Sequence, residues 1–191
     1  MGRIVLSENV SLDGVIQDPT GDEGFAAGGW FNDIGPETRE AWGTILFDEV
    51  LHTEAVLLGR CSYEWFFTRW ASRTGEWADR LNGLPKYVVS STLERPEWNA
   101  TVLTGGVADS VAALKEAVDG DIAVYGSGQL AHTLIENDLV DELRLMIYPC
   151  ALGTGDRLFA ETVHEKPMQL IDAGVVGDSL AYLTYQPART A

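Results

Sequence analysis

At 191 residues, with 46% hydrophobic and 22% charged side chains, the chain has the size and composition of one ordinary globular domain spanning 1–191, large enough to bury a proper core. Its formal net charge of −16 disfavours nucleic acid and anionic membranes as partners, because both need basic patches. No apolar run approaches the roughly 20 residues of a membrane helix and none is flanked like a signal peptide, so a cytoplasmic location is expected.

Residues 3–9, with Ile4, Leu6 and Val10 set among Ser7, Glu8 and Asn9, read as a first strand. Residues 11–35 are glycine-rich and irregular, and a loop of that length inside a compact domain is commonly functional, for example as a lid. Pro36 and Glu37, followed by Trp42, Ile45, Leu46 and Val50 at helical spacing, predict an amphipathic helix to about Leu51. Glu54 to Leu58 is an apolar strand, followed by helices from Ser62 to about Arg69 and from Glu76 to Leu81, the second ended by Leu84-Pro85. Lys86 to Val89 is a strand closing on Ser90-Ser91-Thr92, and Thr101 to Leu103 is short and extended. Val107, Val111, Leu114 and Val118 recur with helical period until Gly120 stops them. Asp121 to Tyr125 is a strand that breaks on Gly126-Ser127-Gly128 and turns into a helix from Leu130 to Asn137. Strands follow at Glu142 to Tyr148, about 168–175 and about 180–186, the last two joined by a hairpin turn at Gly177-Asp178. Strands alternating with helices, then a terminal antiparallel pair, predict a three-layer α/β/α domain with a mixed, mainly parallel sheet.

The Gly126-Ser127-Gly128 turn is a ready phosphate seat, since amides at a helix start lack partners and the helix dipole adds positive charge there. Through Ala131 it fits the G-x-G-x-x-G/A dinucleotide pattern, but Met146 stands where a ribose-binding acid belongs, which disfavours a standard Rossmann domain. A second strand–glycine–helix turn at Gly59-Arg60 points to a ligand with more than one phosphate. With only 13 basic residues, such a site must lean on backbone amides and on Arg60. The hydroxyls of Ser90, Ser91 and Thr92 beside that arginine suit a phosphate monoester such as the extra phosphate of NADP. Ligands in such sheets gather at the carboxyl ends of the parallel strands, where Gly59, Ser90 and Gly126 all fall. The competing readings are a bare tight turn at Gly126, an Arg60 paired with a surface carboxylate, and an Asp13-Gly14 that is only a turn. His52, His132 and His164 lack metal spacing, and no G-x-S-x-G elbow exists, so neither a metal site nor Ser–His–Asp chemistry is expected. Cys61 and Cys150 are expected to be buried free thiols.

Five segments taken in order resemble the reductases of the dihydrofolate reductase fold, particularly the C-terminal reductase domain of the riboflavin-pathway protein RibD. They are Ser11-Leu12-Asp13-Gly14, Val56 to Arg60 with Tyr63-Glu64, Lys86 to Ser91, Val124 to Gly128, and Leu139 to Leu143 with Pro149, Gly153, Gly155 and Leu158-Phe159. The resemblance implies NADPH as cofactor and hydride transfer to a C=N or C=O bond of a small heterocycle, as in 5-amino-6-(5-phosphoribosylamino)uracil reductase. It implies that Gly126, Ser127, Gly128 and Gln129 hold the pyrophosphate, that Gly59 and Arg60 lie against the phosphates, and that Ser90, Ser91 and Thr92 meet the adenosine end. Phe47 matches a family aromatic that packs on the substrate, and Trp30 is expected as a second apolar wall.

The acid that dihydrofolate reductase carries on the helix before Gly59 falls at Gly43, which ranks folate reduction below pyrimidine-type reduction. Asp13 and Glu40 are the candidate proton donors, either needing a pKa raised by burial. Val15 stands where RibD-type enzymes commonly carry a basic residue, so a strongly anionic substrate meets a repulsive loop. The resemblance also implies a homodimer. The alternatives are a non-catalytic NADP(H)-binding module and an ATP or sugar-phosphate site at the Gly-Ser-Gly turn.

Overall fold

Three segments are apolar on both of their faces, and such strands need helices above and below. They are β1 (Arg3–Ser11), β2 (Thr53–Gly59) and β5 (Asp121–Tyr125), whose residues Ile4 to Leu6, Ala55 to Leu58 and Ile122 to Val124 are at most 3% exposed. In the computed structural model, which describes residues 1–159 and 164–188, these strands occupy the middle of an eight-stranded sheet. The flanking strands are β3 (Lys86–Val89), β4 (Ala100–Leu103), β6 (Glu142–Tyr148), β7 (Met168–Val176) and β8 (Leu180–Pro187). Their order is β4-β3-β2-β5-β1-β6-β8-β7, parallel from β4 to β6 and antiparallel through β8 and β7. This is the dihydrofolate reductase-like α/β architecture with its C-terminal antiparallel hairpin.

Helices α1 (Pro36–His52), α2 (Arg60–Trp70) and α3 (Glu76–Gly83) cover the face bearing Val56, Leu58, Val88 and Ala123. Helices α4 (Val107–Ala117) and α5 (Gly128–Glu136) cover the opposite face, bearing Ile4, Leu6, Leu57 and Val124. A third cluster of Trp30, Met146, Tyr148, Val176 and Leu180 closes the antiparallel end. The outermost strand, β7, leaves Leu170, Ile171 and Val175 exposed. No helix among the described residues is long and apolar enough to cross a membrane.

Two helices start earlier than their apolar spacing indicates. Gly59 and Ser127 are themselves the N-caps, so α2 begins at Arg60 rather than Ser62 and α5 at Gly128 rather than Leu130. Each helix follows its strand with almost no loop, and its amino end opens directly over the carboxyl edge of the sheet. The cysteine expectation is corrected: both are free, but Cys61 is exposed on the first turn of α2 and Cys150 is only half-buried after β6.

Lys86 at the start of β3 is fully buried, although lysine is almost never found inside unless paired. Its ammonium donates to the carbonyls of Leu81, Asn82 and Leu84 at 2.6, 2.9 and 2.8 Å and lies 4.1 Å from the Trp98 ring centre. It therefore satisfies the end of α3 from below, where helix carbonyls lack amide partners. Lys86→Met leaves the Asn82 carbonyl without a donor among the described residues and the Leu81 and Leu84 carbonyls with only the longer bonds from Leu84 N and Asn99 Nδ2, and is expected to lower unfolding free energy by roughly 2 kcal/mol in urea titrations.

Candidate active site

The strand ends at Gly59, Val89 and Tyr125 border one cleft of about 1440 Å³. Its floor opens because two central strands part. The last β1–β5 pair is Ser7 with Tyr125, whereas β1 continues alongside β6 as far as Ser11 with Tyr148. Beyond Ser7 the β1 edge therefore faces the glycine turn at 126–128 instead of a neighbouring strand.

That turn needs its composition. Gly126 has φ +62°, and Ser127 is held in the left-handed region at φ 74°, ψ 53°. A Cβ on Gly128 would lie 3.1 Å from Ile16 Cδ1, so the loop after β1 is packed onto the start of α5. The Gly59 amide donates to Ser127 Oγ at 2.9 Å, tying the two strand–helix turns together. Gly59 thus supports the site and its N–H is already engaged. The free donors on α5 are the amides of Gly128, Gln129 and Leu130, which precede the first helical bond, from Ala131 N to Ser127 O.

Arg60 is paired with a surface carboxylate and also reaches the hydroxyl turn. Its Nε pairs with Glu64 at 2.8 Å, and its Nη1 donates to Thr92 Oγ1 at 2.6 Å, reaching the hydroxyl cluster. Ser90 Oγ accepts from the amides of Thr92 and Leu93, fixing that turn. Gly59, Arg60, Ser90, Ser91, Thr92, Gly126, Ser127, Gly128 and Gln129 all line the one cleft.

The other end of the cleft is aromatic, walled by Phe31, Trp42, Leu46, Phe47, Phe66 and Met146. Phe47 stands where expected. Trp30 does not: it is 3% exposed, packs edge-on to Tyr148 at 5.2 Å, donates through Nε1 to Gln17 O, and lies outside the cleft lining. The 3-10 turn Trp30–Asn32 sends Trp30 into the core and presents Phe31 to the cleft instead. Gly43 faces this end, and a Cβ there would meet nothing within 4 Å.

Both expected proton donors are displaced. Glu40 is exposed and does not line the cleft. Asp13 is also outside it, its carboxylate accepting from Ser11 Oγ, Leu152 N and Gly153 N at 2.7, 3.0 and 2.8 Å. Those bonds, the Ser11 hydroxyl foremost, hold Asp13 far below the usual carboxylate range. It is an anionic clamp between the loops after β1 and β6, unsuited to giving up a proton.

Among the polar groups of the cleft that the sequence does not single out are Glu8, Glu49 and Tyr125. Burial pushes Glu49 upward despite Arg144 at 3.7 Å, and its carboxylate accepts from Ser7 Oγ and Tyr182 OH. Glu8 is 7% exposed, and burial raises it to about 8. A usable signal existed, since Glu8 alternates with Leu6 and Val10, and Glu49 adjoins Val50 on the apolar stripe of its helix. Among the described residues no cluster of His, Cys, Asp or Glu could hold a metal ion.

Fold and cleft together define an α/β domain in which the amino ends of α2 and α5 open on one cleft at the carboxyl edge of its sheet. A model of the family described as the RibD C-terminal domain matches residues 3–181, and the chain belongs to that family. YyaP of Bacillus subtilis (strain 168), an uncharacterized protein, is 24% identical over 188 residues, covering 96% of this chain and 94% of its own. A putative riboflavin biosynthesis protein from Shewanella sp. PV-4 superimposes with TM-score 0.72 at 23% identity, covering 99% of this chain and 100% of that one. Dihydrofolate reductase from Enterococcus faecalis, complexed with NADP(H), gives TM-score 0.62 at 16% identity over 98% and 97% of the two chains.

Two outcomes follow from these placements. Asp13 is depressed in the folded protein, so its stabilisation is present above its unfolded value of 3.8 and lost as pH falls below it. Asp13→Asn should therefore lower the melting temperature at neutral pH and remove part of the wild-type loss on acidification, read by thermal denaturation against pH. Gly43→Ala, in open space within α1, should raise stability by about 1 kcal/mol.

Proposed function

We propose that this protein is an NADPH-dependent reductase acting on a C=N or C=O bond of a small, uncharged heterocycle. The observation that carries the reading is the convergence of two helix amino ends and a hydroxyl turn on one cleft that continues into an aromatic pocket.

The residues fit a dinucleotide phosphate. Amides of Gly128, Gln129 and Leu130 would hold the pyrophosphate, with Gly126 and Ser127 setting their direction and Gly59 bracing Ser127. Arg60, Ser91 and Thr92 would receive a phosphate monoester at the adenosine end, and Ser90 keeps that turn in shape. When bound, the reduced pyridine nucleotide supplies a hydride. The chain's own work is to orient it and to exclude water, which the aromatic end does.

Charge and shape narrow the acceptor. The cleft is lined by Glu8, Asp18, Glu23, Glu49 and Asp156 against Arg39 and Arg60. Arg39 stacks on Phe31 and donates to the carbonyls of Phe31 and Asn32. A planar neutral ring suits this end better than a phosphoribosyl substrate, and Gly43 offers no acid to a pterin. That missing acid also favours the second reading, a module that binds NADP(H) without turnover. The homodimer belongs to the same proposal and is decided by sedimentation equilibrium.

Calorimetry should detect NADPH binding to the wild type. Arg60→Ala should weaken NADPH by about 10- to 100-fold while changing NADH little, as expected for one charge-assisted contact to the extra phosphate. Equal loss for both nucleotides removes Arg60 from that role. Sustained loss of NADPH absorbance with an aminopyrimidine acceptor separates the enzyme from the non-catalytic module.

A further inference from the structure

Glu8 holds a core position on β1 and yet belongs to the cleft. It shares a strand face with Ile4, Leu6 and Val10, which are at most 3% exposed beneath α4 and α5. Its own side chain is buried, lines the cleft, and has an Oε1 with no hydrogen-bond partner among the described residues. Buried polar atoms are nearly always paired, so an orphan in a binding cleft calls for a ligand or a reaction. Its place is also specific, one residue past the last β1–β5 pair and level with the glycine turn.

Most charged groups on the elements around it have partners, and the other orphaned atoms there, among the described residues, include Asp18 Oδ1, Tyr125 OH and, at the far end of α5, Glu136 Oε1. On α1, Glu49 is bonded to Ser7 and Tyr182, and Arg39 to backbone carbonyls. On β6, Arg144 pairs with Glu142 and faces Glu49. On α5, His132 meets Arg157 O. In the flanking loops Asp13 is clamped by Leu152 and Gly153 and Arg157 donates to Asp13 O, while Asp18 accepts from Phe25 N through Oδ2 and keeps an Oδ1 without a partner among the described residues. Tyr125 on β5 packs its ring on the other face with Val56 and Leu58, and burial pushes its hydroxyl, partnerless among the described residues, further above the neutral range, so it stays protonated. Burial alone sets the titration of Glu8, raising it to about 8, so the group is mostly protonated at neutral pH.

We propose that Glu8 is the proton donor of the reduction, an assignment that rests on the reductase reading above. The π bond of the acceptor breaks. Its carbon takes the hydride of the reduced pyridine nucleotide, which is oxidised by two electrons, and its nitrogen or oxygen takes the Glu8 proton. The carboxylate left behind is reprotonated from solvent at the cleft mouth. Its new negative charge is formed as the nicotinamide ring becomes cationic, so the two charges develop together and offset one another in a poorly solvated place.

The test uses the full-length protein. Infrared difference spectra titrated through about pH 8 should contain the C=O stretch of a buried protonated carboxyl that Glu8→Gln removes, separate from any contribution of Glu49. Adding NADP⁺, whose ring is cationic, should move its loss to lower pH, whereas NADPH should not. With whichever acceptor supports NADPH oxidation, Glu8→Gln should cut kcat about 100-fold with NADPH affinity unchanged, and Glu8→Asp should restore part of it. A spectrum near pH 8 that is the same in Glu8→Gln and wild type, a midpoint indifferent to NADP⁺, or Glu8→Gln turnover within about twofold of wild type overturns the assignment alone. Failure of the wild type to bind NADPH overturns the reductase reading and this assignment with it.

Discussion

One hydrogen bond, from the Gly59 amide to the Ser127 hydroxyl, determines how the two strand–helix turns sit against each other. It requires Ser127 in a left-handed conformation that costs a non-glycine residue of order 1 kcal/mol or more, which the surrounding packing must offset. In return α2 and α5 are held with their amino ends on one rim. The same turn carries β5 away from β1, and that parting opens the floor of the cleft. The converging helix amino ends and the open cleft floor are thus two results of one local geometry.

Long-range electrostatics work against this site. The chain carries −16, and the described cleft lining holds five carboxyl groups to two arginines. On the proposed function, a polyanionic nucleotide approaches through an unfavourable field and is held only at contact range, by amides and by the Arg60–Thr92 pair. Salt screens charges separated by more than about 8–10 Å and leaves close hydrogen bonds largely intact. Such a protein captures its nucleotide faster as ionic strength rises, the reverse of an electrostatically steered enzyme.

Much of the frame was readable because its residues are locally consistent. Lys86–Val89 and Glu142–Tyr148 are strands with the expected bounds, and the glycine and hydroxyl turns lie together as the strand-end argument required. The errors came where tertiary contacts decide between adjacent residues. Trp30 and Phe31 are equivalent by composition, and only the 3-10 turn settles which is core and which is wall. Asp13 looked free to act because its partners, Leu152 and Gly153, are distant in sequence. Cys61 looked like an ordinary buried thiol until α2 proved to start two residues early. Glu8 and Lys86 were passed over because a charged residue in a strand reads as solvent-facing, whereas both are buried in the sheet.

The two ends of the cleft are made from different material. One is mostly main chain, set by the Gly126-Ser127-Gly128 turn with the Arg60–Thr92 pair beside it. The other is a set of replaceable side chains, several of them on α1, with unfilled room beside Gly43. On the proposed function, replacements along α1 would change the acceptor while the nucleotide's main-chain contacts stay in place. Divergent chemistry within a single lineage then needs only a handful of changes on one helix.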